Sequence, residues 1–163
     1  MRMSAPIAIA SGLLAMALGA CVGTPSAPPP YEGQDLVGEV DADMLIGNWS
    51  GRLLNAPSGQ ENNGFTATFS KDGKAIYRID DKQSGMNLMF EMSGSWSIDG
   101  EHVFIELDSF REVSGNALGG MMASMMNGMR DQMNGKGNVF ESTSSRLIIV
   151  GDGGEANEFI RQP

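Results

Sequence analysis

"MNLMFEMSGSWSIDGEHVFIELD", residues 86–108, decides the fold. Apolar side chains alternate through it at Met86, Leu88, Phe90, Met92, Trp96 and Ile98, with Gly94 in phase. Asn87, Glu91, Ser93, Ser95, Ser97 and Asp99 fill the other face, with Met89 the exception. After Asp99-Gly100 the pattern resumes at Val103, Ile105 and Leu107. A period of two marks strands with one buried and one wet face, and Asp-Gly suits the two-residue type I′ turn of a hairpin. That turn opposes Trp96 with Val103, Gly94 with Ile105 and Met92 with Leu107, all on one face. It also opposes Ser95 with Phe104 and, carried further, Met89 with Phe110. Met89, Phe104 and Phe110 are thus expected on the outer face, where they call for a cover.

The hairpin upstream tests registers more finely. Phe65, Ala67 and Phe69 alternate in "FTATFS", and Ala75, Tyr77 and Ile79 in "KAIYRID". A two-residue turn would set Ala67 against Arg78 and bury the charge. A three-residue loop, Lys71-Asp72-Gly73 with Gly73 left-handed, instead opposes Phe69 with Ala75, Ala67 with Tyr77 and Phe65 with Ile79. The second register is expected. Further strands are read at Gly47–Leu54, Asn138–Ser144, Arg146–Gly151 and Ala156–Arg161. About eight short antiparallel strands with glycine-rich turns make a mostly β chain, a small up-and-down barrel or sandwich.

Gly47-Asn48-Trp49 on the first strand resembles the G-x-W signature of lipocalins and lipocalin-like domains. The resemblance implies a barrel whose closed end is plugged by Trp49, with a basic residue of the last strand, here Arg161, packed over it. Gly94-Ser95-Trp96 repeats the pattern, and both Trp49 and Trp96 are expected in the core.

Before this domain lie two segments of different character. Residues 1–20 read as an export signal: Arg2 supplies the positive end, Ile7 to Leu18 form a short apolar run, and small residues follow. Leu18-Gly19-Ala20-Cys21 resembles a bacterial lipobox, which implies cleavage before Cys21 and lipidation of its thiol. Cys21 is the single cysteine, so no disulfide is available. Val22, in place of the aspartate that tends to retain lipoproteins in the inner membrane, is similar to the outer-membrane default. Residues 21–40, rich in proline, read as a tether with a reach of roughly 50 Å. That leaves 41–163 as one domain, anchored to a membrane and not spanning it. Loss of Arg2 with the signal takes the net charge from −9 to −10. Nucleic acid and anionic headgroups are not partners for such a surface.

Six of the thirteen residues from Met121 to Met133 are methionine. On a helix over 116–134, capped by Asn116 and stopped by Gly135, Leu118, Met121, Met122, Met125, Met126, Met129 and Met133 share an arc of about 140°. Asn127 falls on the far, wet side. The expectation is one amphipathic helix, inserted before the last strands, whose stripe of Leu118, Met121, Met122, Met125, Met129 and Met133 packs on the barrel or across its mouth. The runner-up is a stripe kept for a partner or a lipid surface. A further alternative is Cu(I) held by thioethers, but no cysteine or histidine joins them. Met86 and Met92 point to the opposite face from Met89, so that cluster cannot converge on a metal.

No catalytic constellation is legible. His102 beside Glu101 has no nucleophile at a recognisable spacing, and "GDGG" at 151–154 lacks the helix a phosphate cradle needs. The sequence therefore reads as an outer-membrane lipoprotein facing the periplasm, with no cofactor, no metal and no enzymatic activity. Its β-barrel would bind a small apolar ligand or lipid, or serve as an envelope protein-interaction or inhibitor module.

Overall fold

Asp41 opens the domain by accepting the Asp43 N–H (2.9 Å), capping a single helical turn, α1 (Ala42–Leu45). The computed structural model describes residues 28–35, 39–56, 64–81 and 87–163. Eight strands follow α1: β1 (Gly47–Leu53), β2 (Phe65–Phe69), β3 (Lys74–Asp81), β4 (Leu88–Asp99), β5 (His102–Glu112), β6 (Gly135–Ser142), β7 (Arg146–Gly151) and β8 (Ala156–Arg161). A longer helix, α2 (Ala117–Gly128), lies between β5 and β6. Each strand pairs antiparallel with the next, and β1 closes on β8 from Trp49–Arg161 to Leu53–Asn157. The fold is a closed up-and-down barrel, with no free sheet edge between first and last strands.

The β2–β3 register is the one that keeps Arg78 wet: Phe65 faces Ile79, Ala67 faces Tyr77 and Phe69 faces Ala75, with Gly73 left-handed at φ +79°. The β4–β5 hairpin departs from expectation twice. Trp96 faces Ile105, not Val103, and Asp99 pairs with His102, so the loop is Gly100-Glu101. Gly100 alone takes a positive φ, +62°. A type I′ turn at Asp99-Gly100 would have forced Asp99 left-handed as well; starting the loop one residue later avoids that strain. The slip is two residues overall, so every face is preserved and burial alone could not have detected it.

The second departure changes a face. Ser93 pairs with Ser109 but Gly94 with Leu107, leaving Asp108 as the extra residue of a β-bulge. Beyond it the phase of β5 inverts. Phe110 pairs with Met92 and is buried, its ring 5.2 Å from that of Phe90. It does not join Met89 and Phe104 outside.

The core lies inside the barrel. Trp49, Phe69, Leu88, Phe90, Met92, Val103, Val139 and Leu147 are almost fully buried. Phe65, Phe69, Tyr77 and Phe159 meet edge-on or tilted at 5.4 to 6.2 Å. Among the described residues, the space between these rings is a void of about 30 Å³, walled by Phe65, Tyr77, Val103, Ile105, Ile149, Asn157 and Phe159. That is room for about two waters. Burial pushes the Tyr77 phenol well above its ordinary range, so it stays neutral.

Candidate functional site: the methionine helix and the barrel end it occupies

At the end where β1 starts, Trp49 is fully buried and donates from Nε1 to Leu45 O (2.8 Å). Arg161 lies over it with Cζ 4.2 Å from the ring centroid. Its guanidinium donates to Ile46 O (2.7 Å), Met44 O (2.6 Å) and Ser144 O (2.5 Å). Gly47 runs so close beneath that a Cβ there would collide with Arg161 Nη1. Trp96 sits at the same end by another route, donating to Ser70 O (3.0 Å) and meeting the edge of Phe69 at 5.7 Å. These residues close this end of the barrel.

The other end is built differently. On β5, β6 pairs only with His102 to Ile105, so among the described residues no strand lies beside β5 from Glu106 onward on that edge. An uncovered edge is a template for foreign strands. Side chains from α2 and the segment after it cover this one. Asn127 accepts the Phe110 N–H at its Oδ1 (2.8 Å) and donates from Nδ2 to Phe110 O (2.5 Å), filling both places a strand partner would fill. Asn134 accepts the Leu107 N–H (2.7 Å) and Arg130 donates to Asp108 O (3.2 Å). The approach is set by Glu112, whose carboxylate takes the N–H groups of Ser114 (2.7 Å), Gly115 (2.8 Å) and Asn116 (3.0 Å). The Ser114 hydroxyl also binds it, and these bonds hold its carboxyl below the usual range. Asn116 then caps α2, accepting from Leu118 and Gly119.

This clamp fixes how the helix is turned, and it is not turned as the methionine arc implies. Gly119 and Ala123 are the buried residues of α2. A Cβ at Gly119 would strike Leu88 and Glu112, so the helix approaches there because glycine allows it. Met122, Met126 and Met133 pack against the core from the flanks. Leu118 (49% exposed), Met121 (72%), Met125 (59%) and Met129 (36%) face water. The docking face is rotated by roughly a third of a turn from the expected one, and Asn127, expected to be wet and idle, is the main tie. Gly119, Ala123 and Asn127, spaced four apart, were the signal: two small residues and one amide on a single face. The helix also ends sooner than expected, at Gly128. A 3-10 turn (Arg130–Gln132) follows, and Gly135 begins β6 opposite Ile105.

Among the described residues, every large exposed apolar side chain except Ile160 lies at this end: Met89, Val113, Leu118, Met121, Met125 and Met129. Residues 117–128 carry no charge. Elsewhere on the outside, carboxylates are tied down. Glu91 binds Arg111 and Arg78, which hold its carboxyl below the usual range. Burial works to raise Glu158, but Arg146 and Arg52 outweigh it and the net effect is again a lowering. Met89 and Met92 point to opposite faces. His102 pairs with Asn138, its ring edge-on to Phe104 at 6.4 Å. Among the described residues no three His, Cys, Asp or Glu side chains converge on a metal-sized site, and no helix is long and apolar enough to cross a membrane.

The segment before the domain touches the barrel. Asn55, just past β1, donates from Nδ2 to Pro29 O (2.6 Å) and to Gly154 O (2.8 Å) while accepting the Ala156 N–H (2.8 Å). Tyr31 stacks edge-on against Phe140 at 5.7 Å. The lipobox residues Leu18 to Cys21 lie outside the described residues.

No family model matches the chain, and no curated protein does. In structure it is similar to a lipocalin-like protein from Bacteroides uniformis, with a TM-score of 0.49 and 16% identity over 73% of this chain and 99% of that one. An uncharacterized protein from Bacteroides eggerthii gives 0.49 and 20% identity, over 72% and 99%.

Proposed function

We propose that this is an outer-membrane lipoprotein, anchored through Cys21, whose lipocalin-like barrel is a non-catalytic scaffold presenting the outer face of α2 as its binding surface. One observation carries the reading. Among the described residues, the space between the core rings Phe65, Tyr77 and Phe159 is a void of about 30 Å³, while Leu118, Met121 and Met125 stand exposed on an uncharged helix. Ligand pockets run to about 300–1,000 Å³, so an enclosed apolar ligand has little room, whereas a contiguous exposed apolar strip marks a contact site. Methionine suits that use because its flexible, polarisable chain adapts to a partner. A photo-crosslinking residue at position 121, in the intact envelope, should form adducts that the same residue at position 72, at the opposite end, does not. Equal labelling at both positions would remove the reading. Native mass spectrometry revealing a stoichiometric apolar ligand, lost when Ile105→Trp fills the void, would move the function inside the barrel.

A further inference from the structure

We infer that the partner of the α2 strip is the lipid leaflet that carries the protein's own anchor, an assignment that rests on the contact-surface reading and on lipidation of Cys21. In an up-and-down barrel the β1–β2, β3–β4, β5–β6 and β7–β8 connections all lie at one end. Asn55 belongs to the first of these, α2 to the third and Gly154 to the fourth. Asn55 holds Pro29 there, beside Gly154. The chain leading back to Cys21 therefore departs from the end that bears the methionine helix, and not from the end sealed by Trp49 and Arg161.

Chain length sets the distance. Only the steps from Cys21 to Pro28 remain, and seven extended residues span at most about 25 Å, less than the radius a freely hinged tether of residues 21–40 would allow. Tyr31 against Phe140 makes a second hold on the same segment. A short leash attached at the methionine end keeps that end close to the lipid. Met89 and Val113, joined there by the bond from Val113 N to Met89 O (2.8 Å), extend the exposed apolar surface from the helix to the barrel rim. A chain with a net charge of −9 is not drawn to an anionic surface by electrostatics. The contact is accordingly apolar, with Leu118, Met121 and Met125 entering the headgroup–acyl boundary as the apolar face of an interfacial helix does.

The test uses the full lipidated protein in vesicles of phosphatidylethanolamine and phosphatidylglycerol. With the native thiol acylated, Met121→Cys supplies a single site for an environment-sensitive fluorophore, and Lys71→Cys a control at the opposite end. The probe at 121 should shift to the blue and be quenched by lipids carrying a spin label on the acyl chain, with little dependence on salt. The probe at 71 should report water. Adding Tyr31→Ala and Asn55→Ala, which release the leash, should weaken quenching at 121. A probe at 121 that stays in water on protein-free vesicles overturns the lipid assignment. If that position still crosslinks to a protein in the native envelope, the contact-surface reading survives it; if it crosslinks to nothing, both fall.

Discussion

The two ends of this barrel are closed by opposite means. At one, a tryptophan and an arginine are packed face to face, every guanidinium bond ends on a backbone carbonyl, and Ile160 is the large apolar side chain left exposed among the described residues. At the other, a helix is held by asparagine amides and small residues, and its larger apolar side chains point away. Large apolar residues turned inward make a seal. The same residues turned outward by a polar clamp make a surface. Composition does not separate the two; the position of the clamp does.

Breaking the seal should have the largest effect. Trp49→Ala removes a fully buried ring and should cost about 3–5 kcal/mol. Arg161→Lys keeps the charge but not the planar fork, and should cost about 1.5–3 kcal/mol. Chemical denaturation measures both, and a loss below 0.5 kcal/mol (about the limit of surface effects) in the tryptophan variant would mean the end is not sealed as described.

Breaking the clamp comes next. Asn127→Asp keeps the shape and the acceptor but removes the donor to Phe110 O, setting a carboxylate against a carbonyl. The expected loss is about 1–3 kcal/mol, with faster hydrogen exchange at the Phe110 amide while β2–β3 is unchanged. Unaltered exchange there would show that the amide is not what holds the helix.

A smaller effect should follow acid. Glu91 and Glu158 have carboxyls held below their ordinary value near 4.5. A lowered folded pKa adds stability above the unfolded pKa, and that stability disappears as pH falls through the lower folded value. Melting temperature should therefore fall from about pH 5 downward, and Glu91→Gln should be less stable at neutral pH and show a shallower acid slope. Both arginines on Glu91 are mostly exposed, so the effect is a modest one.

Much of the fold was legible in the alternation. The β2–β3 register was decidable because its competitor differed by one residue and buried Arg78. The β4–β5 register was not, because a two-residue slip leaves every face as it was. The bulge at Asp108 hid in a stretch, Asp108-Ser109, polar enough to fit either phase, so Phe110 was assigned outside. At the closed end, Gly47, Trp49 and Arg161 come together in space. At α2 apolar residues cover more than one face of the helix, so hydrophobicity alone does not select the buried side. Close approach selects it, and the residues that permit close approach are Gly119 and Ala123.

The smallest expected effect tests the central claim most directly. Two double variants differ only in which side of α2 they touch: Met121→Ser with Met125→Ser on the exposed side, and Met122→Ser with Met126→Ser on the flank packed against the core. Comparing their unfolding free energies separates a surface from a seal. The account predicts that the exposed pair is neutral within about 0.5 kcal/mol. The packed pair should lose an appreciable part of the roughly 1.5–3 kcal/mol that burying each methionine can contribute. Equal losses, or a larger loss from Met121 and Met125, would contradict it, because the strip would then be holding the barrel together rather than facing a partner.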